Sequence, residues 1–323
     1  MSHKINIIDI AQSLPERIAL FIGTASFEAR CLSILTSLVD SADAFMFFKN
    51  VEAGEIAEEN LQKMRALTIL KNRVFEIDLD RPTITADAFQ KCLSMIDSAA
   101  DGLIFVDITT FTHEQLLIFL RVVTQTKHGR RFIFGYTGAE QYSTNTNADG
   151  VWLSRGVSQV RSILGFPGEF LPSKKLHLIV LVGFEHDRAK AVIEKFEPSS
   201  LTLGIGDVSH SVSKAHYETN QRFFDEVKSF IDLKTSIYSQ VNIFKFSGID
   251  PVAAKSSILA EVKRLPAYNT VICPMNTKIS TFGAGLAAVE NPALQVCYSR
   301  AITYNESGYS TPSAQATIFE MDL

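Results

Sequence analysis

The sequence lacks the long apolar runs that would anchor a protein in a membrane. Its longest runs, LHLIVLVGF and LLIFL, are far shorter than the roughly 18 residues that a membrane-spanning helix needs. The first residues, MSHKINIIDIAQSLPE, are too polar to form a signal peptide. We therefore expect a cytoplasmic protein without a membrane partner.

Cysteine and net positive charge are also scarce. The four cysteines, Cys31, Cys92, Cys273 and Cys297, form no CxxC pair, so neither a zinc site nor a disulfide framework is indicated. The formal net charge is -4, which provides no general attraction to a nucleic-acid backbone. A long duplex partner is therefore not expected, whereas a short nucleotide held by a few groups is compatible with this charge.

The common nucleotide-binding and catalytic motifs are absent too. No GxxxxGK[ST] loop occurs, and LGIGDVSH lacks the third glycine of a dinucleotide fingerprint. HEQLL has no second histidine, and no GxSxG elbow appears. The sequence predicts no cofactor and no metal, and it leaves open whether the protein is an enzyme.

Short apolar strands alternate with helix-like segments along the whole chain of 323 residues. RIALFIG, AFMFFKN, RVFEIDL, GLIFVDI and RRFIFGY lie in the first half, and LHLIVLVG, SLTLGIG, QVNIFKFSG, NTVICPM and LQVCYSR lie in the second. Continuous apolar strands between helices are typical of a parallel sheet covered on both faces. We predict an α/β protein of two tandem, duplicated Rossmann-like domains, each with a mainly parallel sheet of five to six strands flanked by helices. The predicted domains are 1–166 and 176–323, joined by a linker over 167–175.

The two halves also repeat individual residues in the same order, which indicates an internal duplication. The matches are Phe27, Glu28 and Arg30 with Phe184, Glu185 and Arg188; Asn60 with Asn220; Asp80 and Pro82 with Asp250 and Pro251; Thr110 with Thr277; and Tyr136 with Tyr304. Nearly all of them follow a predicted strand. In an open parallel sheet these positions line one edge, where ligands bind at the point at which the strand order reverses.

We predict that ligand-binding residues gather at this edge in both halves. The candidates in the first half are Gly23, Thr24, Ser26, Glu28, Arg30, Asn60, Asp107, Thr109, Thr110 and Tyr136. Those in the second half are Gly183, Glu185, Arg188, Asn220, Asn276, Thr277, Lys278 and Tyr304. The threonines and serines are equally good helix N-caps, and an N-cap position is itself suited to bind anions. The asparagines could read a base edge, and the tyrosines could stack on a base or belong to the core.

The two arginines require an anion, because a cation in the first turn of a helix meets the unfavourable end of the helix dipole. Three interpretations stay open: a structural salt bridge, a ligand phosphate or carboxylate, and an exposed side chain. Residues two apart do not face each other on a helix, which argues against a pair between Glu28 and Arg30. Glu185 and Arg188, three apart, could pair.

Two segments resemble a known family. CPMNTKISTFGAGLAA resembles the fourth strand and following loop of CRISPR-associated Rossmann fold (CARF) domains, and FIGTASFEARCLSIL resembles their first strand and loop. Two such units in one chain resemble the SAVED domains of bacterial antiphage signalling, which bind cyclic oligonucleotides. The first half has Ile108, Thr109 and Thr110, without a lysine, where the second has Thr277 and Lys278.

The resemblance implies recognition of a nucleotide or a short, cyclic oligonucleotide by a pseudo-symmetric two-domain sensor or partner subunit in antiphage defence. One alternative is an enzyme that cleaves a nucleotide phosphodiester or N-glycosidic bond, with Glu28 or Glu185 stabilising a sugar cation. The other is a scaffold in which the repeated motifs form salt-bridged corners at an interface. A protein partner or a second copy of the chain is compatible with all three.

Overall fold

The chain forms two compact units. The computed structural model describes residues 2–69, 72–96, 102–126, 131–142, 153–234, 237–306 and 309–321. Unit 1 comprises Met1–Ser143 with Glu306–Leu323, and unit 2 comprises Thr144–Asn305.

Unit 1 is built on a seven-stranded sheet with the order β1-β13-β6-β5-β2-β3-β4. Its strands are β1 (Ser2–Asn6), β2 (Ile18–Thr24), β3 (Phe45–Asn50), β4 (Asn72–Ile77), β5 (Leu103–Asp107), β6 (Phe132–Tyr142) and β13 (Ser310–Met321). Its helices are α1 (Ile10–Ser13), α2 (Ser33–Leu38), α3 (Glu55–Thr68), α4 (Pro82–Ser94) and α5 (His113–Gln125). Strands β2 to β6 are parallel, β13 runs antiparallel to β6, and β1 runs antiparallel to β13.

Unit 2 is built on a six-stranded sheet with the order β10-β9-β8-β11-β12-β7. Its strands are β7 (Ser154–Pro167), β8 (Lys175–Leu181), β9 (Ser200–Gly206), β10 (Gln240–Phe246), β11 (Tyr268–Pro274) and β12 (Gln295–Tyr304). Its helices are α6 (His186–Phe196), α7 (Lys214–Asp232), α8 (Pro251–Arg264) and α9 (Lys278–Glu290). Only β7 is antiparallel to its neighbour.

Apolar side chains on both faces hold each sheet in the interior. Strands β5 and β9 are buried at every position, as expected for mainly apolar strands of a sheet that is covered on both faces. In unit 1 the core is rich in phenylalanine, and the stacked rings of Phe21 and Phe105 lie 5.8 Å apart across β2 and β5. The predicted α/β architecture of two Rossmann-like sheets is confirmed.

The two sheets share one plan. Reading inward from β4 and from β10, each has its third, second, first, fourth and fifth parallel strands in that order, followed by an antiparallel strand. The strand order therefore reverses between β2 and β5 in unit 1 and between β8 and β11 in unit 2. Strand β1 is the additional strand of unit 1.

The antiparallel strands are exchanged between the units. Strand β7 follows β6 in the sequence but pairs with β12 of unit 2, and β13 follows β12 but pairs with β6 of unit 1. The predicted boundaries differ from these units, because domains 1–166 and 176–323 assign each of these strands to the other half. Residues 168–174 of the predicted linker connect β7 to β8 inside unit 2.

Candidate functional site

In each unit the loops after the first and fourth parallel strands lie side by side at the carboxyl edge of the sheet. We call residues 25–28 and 182–185 the first-strand loops, and residues 108–112 and 275–277 the fourth-strand loops. In unit 1 the Thr110 hydroxyl donates to the carbonyl of Thr24 at 2.7 Å. In unit 2 the Asn276 carboxamide donates to the carbonyl of Val182 at 2.7 Å. The strand order thus brings together the two loops that flank the switch point, where open α/β sheets bind ligands.

Arg30 lies in a buried polar corner of unit 1. Its Nε donates to Glu28 Oε2 at 2.9 Å, and one terminal nitrogen donates to the carbonyl of Thr137 on β6 at 3.0 Å. Its guanidinium carbon lies 5.5 Å from the centre of the Tyr142 ring. Ser310, the first residue of β13, donates its hydroxyl to the same Glu28 oxygen at 2.7 Å. The arginine side chain is 4% exposed, so the pair is shielded from water.

Arg188 makes a similar set of contacts in unit 2, but its aromatic ring comes from a different position of the fifth strand. It forms an ion pair with Glu185 and donates to the carbonyl of Ser299 on β12. Its guanidinium carbon lies 5.5 Å from the centre of the Tyr298 ring. Ser154, the first residue of β7, donates its hydroxyl to Glu185. Each repeated Phe-Glu motif is therefore the start of a corner that joins the first-strand loop, the fifth strand and the antiparallel strand.

The structural salt bridge is thus the interpretation that describes both arginines. The argument against a pair between Glu28 and Arg30 was wrong, because it assumed one continuous helix. Glu28 has an extended backbone (φ -76°, ψ 122°) and precedes a short 3-10 turn, so its side chain turns back toward the arginine. A ligand-binding role for Glu28, Arg30, Glu185 and Arg188 stays a prediction.

The two repeated asparagines form hydrogen bonds to the backbone of the first-strand loops. Asn60 on α3 donates to the carbonyl of Ser26 at 2.9 Å. Asn220 on α7 donates to the carbonyl of Val182 at 2.8 Å and accepts from the Gly206 N–H at 3.1 Å. Both asparagines are buried, so each carboxamide substitutes for a backbone partner that the loop lacks.

The fourth-strand loops end in two helix caps that correspond to each other. Thr112 accepts from the Gln115 N–H at the start of α5, and Thr277 accepts from the Ser280 N–H at the start of α9, each at 3.1 Å. The predicted match of Thr110 with Thr277 is therefore wrong by two residues. The loop of unit 1 has five residues and that of unit 2 has three, and such a difference cannot be placed without the cap geometry.

The two helix N-termini differ in charge. Helix α5 carries the acidic Glu114 in its first turn, and this side chain is buried. Helix α9 begins with Lys278 and has no acidic residue in its first turn. Since helix N-termini favour anions, the edge of unit 2 is the more suitable place for a phosphate.

Gly183 allows the two loops of unit 2 to approach each other closely. A Cβ at this position would collide with the carbonyl group of Met275 in the fourth-strand loop. The backbones therefore touch directly, as at close approaches that only glycine permits. Gly23, the other glycine of the predicted set, is buried within β2, and a Cβ at this position would lie 3.1 Å from the Phe21 ring.

Asp107 is the most unusual titratable group at this edge. It lies at the end of β5, is 3% exposed, and accepts from the Thr109 N–H at 3.0 Å. Burial raises the pKa of Asp107 to about 7, although hydrogen bonds from Thr109 and the charge of Arg30 oppose this shift. Thr109 in turn accepts from the backbone N–H of Thr137 at 2.9 Å.

Two tyrosines six residues apart line the fifth strand in each unit. The Tyr298 and Tyr304 hydroxyl groups lie 3.2 Å apart. Tyr136 is hydrogen-bonded to Tyr142, and burial together with this neighbour raises the pKa of Tyr136. Tyr136 therefore corresponds to Tyr298 and Tyr142 to Tyr304, so the predicted match of Tyr136 with Tyr304 is wrong.

Sequence reasoning missed the partners that complete the corners: Thr137, Tyr142, Ser154, Tyr298, Ser299 and Ser310. The shared six-residue spacing of the tyrosines could have matched Tyr136 with Tyr298 and Tyr142 with Tyr304.

Among the residues that the structure describes, no cluster of three His, Cys, Asp or Glu side chains could hold a metal ion. No helix in the described ranges is long and apolar enough to cross a membrane.

The fold and the switch-point geometry define a protein of two Rossmann-like units, and comparison with solved structures agrees. The chain is similar to a solved structure described as a type III CRISPR defence DNA nuclease activated by cyclic oligoadenylate. The TM-score is 0.52 at 10% sequence identity, over 91% of this chain and 67% of that chain. The sequence matches no protein-family model and no curated protein. The likeness confirms the predicted resemblance to CARF-type units at the level of the fold, and the resemblance to SAVED domains stays a prediction.

Proposed function

We propose that the protein is a sensor that binds a short or cyclic oligonucleotide at the carboxyl edge of its sheets. The observation that carries this proposal is the paired loops of unit 2, where Asn276, Thr277 and Lys278 form a helix start without an acidic side chain. A nucleotide phosphate is the ligand group that best matches this helix end. The fold of an activated CRISPR defence nuclease supports the choice of an oligonucleotide and a role in defence.

The alternative of glycosidic cleavage receives less support. It needs a carboxylate that can face a sugar cation, yet Glu28 and Glu185 each accept from an arginine and a serine of their own unit. The scaffold alternative matches the salt-bridged corners, but these contacts lie within each unit and require no partner. Use of both halves by one pseudo-symmetric ligand stays a prediction from the sequence, as does descent from one duplicated module.

Calorimetric titration with cyclic oligoadenylates of several ring sizes, and with linear oligoadenylates, tests the proposal. We expect a cyclic oligoadenylate to bind, and Lys278→Gln to weaken its binding about tenfold or more, since a hydrogen bond to a charged group contributes ~1.5–3 kcal/mol. Lys214→Gln, at an exposed lysine that begins α7, is the matched control and should bind like the wild type.

Two results would contradict the proposal. One is that no oligonucleotide gives a heat of binding or raises the melting temperature. The other is an equal effect of the two lysine variants, which would point to non-specific attraction of an anion. Chromatography of the incubated ligand addresses the enzyme alternative, because cleavage products would show that the site acts on what it binds.

A further inference from the structure

Three loops of unit 2 meet at Gly248, which lies in the loop after the third parallel strand, β10. A Cβ at this glycine would lie 3.4 Å from the His210 carbonyl oxygen, 3.6 Å from the Thr277 methyl group and 3.9 Å from Asn276 Oδ1. The Gly248 N–H donates to that His210 carbonyl at 2.9 Å, and the Thr277 hydroxyl donates to the Gly248 carbonyl at 2.8 Å. His210, in the loop after β9, is therefore a close neighbour of the start of α9, where we place a ligand phosphate.

Asp207, Ser209 and His210 are linked by hydrogen bonds in the loop after β9. The Ser209 hydroxyl donates to Asp207 Oδ1 and lies 3.0 Å from His210 Nδ1. Hydrogen bonds from the Ser209 hydroxyl and the Ser209 N–H lower the pKa of Asp207, so this carboxylate is ionised at neutral pH and can only accept. The single hydroxyl hydrogen of Ser209 is used on Asp207, and the serine oxygen therefore accepts from His210 Nδ1–H.

These hydrogen bonds fix which nitrogen of His210 can accept. A neutral imidazole carries one hydrogen, so a hydrogen on Nδ1 leaves Nε2 with a lone pair. The His210 side chain is 56% exposed, which leaves the ring open to a ligand. A group that donates a hydrogen bond, such as a hydroxyl, is therefore the matching chemistry for Nε2, whereas a phosphodiester, which only accepts, is not.

The position of His210 and its hydrogen-bonding chemistry together select the ribose of a nucleotide. The sugar is the group bonded directly to the phosphate, so it lies next to the side chains that surround a bound phosphate. The ribose 2′-hydroxyl can donate, and it is the group by which proteins distinguish RNA from DNA. Unit 1 has no histidine at the equivalent place, because the loop after its second strand, residues 51–54, has the sequence VEAG.

We propose that His210 makes the site of unit 2 selective for a ribonucleotide, with Nε2 accepting a hydrogen bond from the 2′-hydroxyl. Asp207 and Ser209 are positioning residues, which hold the imidazole in the tautomer that accepts at Nε2. Recognition of this hydroxyl rests on the proposed function, because it needs a ligand phosphate at the start of α9. It decides between ribose and deoxyribose, a choice that the proposed function leaves open.

Calorimetric titration of the full chain with matched pairs of ligands tests this role: each cyclic oligoadenylate, and the same ring built from 2′-deoxyadenylate. The ratio of the two dissociation constants is the preference for ribose. We expect His210→Ala to lower this preference roughly three- to tenfold, the range that a hydrogen bond between neutral groups provides. The loss should fall on the ribose form alone. Lys278→Gln should weaken both forms by the same factor and keep the preference, since its charge acts on the phosphate.

Further variants separate hydrogen bonding from packing. His210→Gln keeps a carbonyl oxygen that can accept, so it should retain more of the preference than His210→Ala. Ser209→Ala releases Nδ1, so the ring can take the other tautomer, and the preference should fall without loss of affinity for the deoxyribose form. His3→Ala, at an exposed histidine of β1, is the matched control and should bind both forms like the wild type. Circular dichroism and the melting temperature confirm that each variant is folded.

An unchanged preference for ribose in His210→Ala would overturn the role of His210. An equal loss for both forms would then assign the histidine to the phosphate or to the shape of the loop, and no loss would place it outside the site. In either case, binding of the ribose form to the wild type would still support the proposed function. If no oligonucleotide binds to the wild type, the proposed function fails and the role of His210 fails with it.

Discussion

The repeated arginines are buried cations whose partners all come from their own unit. Arg30 and Arg188 each receive a glutamate, a backbone carbonyl and an aromatic face, and each glutamate also accepts from a serine. A buried ion pair contributes little relative to an apolar pair of the same shape, but removal of one partner leaves an uncompensated charge. The corners therefore impose the geometry of the first-strand loop rather than a large net stability.

Arg30→Met should destabilise unit 1 by roughly 3–5 kcal/mol, because the Glu28 side chain, which is only 11% exposed, is then left without its cation. The double variant Glu28→Gln with Arg30→Met should recover part of that loss, since it removes both charges. Urea unfolding followed by circular dichroism measures both effects. The parallel pair, Arg188→Met and Glu185→Gln with Arg188→Met, should reproduce this pattern in unit 2.

A single arginine variant as stable as the wild type would contradict this account. It would show that the glutamate finds another partner or water, and that the corner does not hold the loop. An equal loss in the single and double variants would instead assign the cost to lost packing of the arginine chain.

At the residue scale the sequence predicted the repeated positions but not their partners. Phe-Glu and an arginine could be recognised twice because they lie close together in the chain. Ser154 and Ser310 could not, because each reaches its glutamate through the pairing of a distant strand. The tyrosine match failed for a related reason: two tyrosines six apart point to the same face of a strand, so either one fits a sequence alignment.

At the scale of elements the close approach of two loops sets the shape of the candidate site. Gly183 belongs to the first-strand loop of unit 2 and lies against Met275 of the fourth-strand loop. The sequence predicted that these loops would meet, because apolar runs fix the strands and the strand order fixes the switch point. It could not predict the exchange of β7 and β13, because an amphipathic strand fits the edge of either sheet equally well.

Gly183→Ala should destabilise the protein by roughly 1–3 kcal/mol, the usual cost of an added methyl group in a packed place. The substitution should also weaken the binding of any ligand at this edge, because the Met275 backbone must move away. Gly248→Ala is the matched control for the stability measurement, since the nearest atom to its added Cβ is 3.4 Å away, an ordinary contact. Denaturant unfolding and the oligoadenylate titration together measure the two effects. Equal behaviour of the two alanine variants would show that the loops separate without cost.

At the scale of the whole molecule, the two units carry buried titratable groups that respond to pH in opposite directions. Burial raises the pKa of Asp107 in unit 1 from 3.8 to about 7. In unit 2, burial and the charge of Arg264 lower the pKa of His177 from 6.5 to about 4. The His177 ring lies between the hydroxyl groups of Thr202 and Thr270, at 2.8 and 3.3 Å.

The signs follow from proton binding in the two states. Between about pH 4 and 7 folded Asp107 holds a proton that the unfolded chain releases, so its contribution to stability falls as the pH rises. Over a similar range His177 binds a proton in the unfolded chain but not in the folded protein, so its contribution to stability falls as the pH falls.

Asp107→Asn should therefore gain stability relative to the wild type between pH 5 and 8, by roughly 2–4 kcal/mol. His177→Gln should gain relative stability from pH 7.5 to 4.5, by roughly 2 kcal/mol. Urea unfolding across this range, with hydrogen exchange of β5 and β8 amides corrected for the intrinsic pH effect, assigns each change to its unit. Parallel pH profiles for the wild type and a variant would mean that the replaced group titrates alike in the folded and unfolded chains, and that its burial carries no penalty.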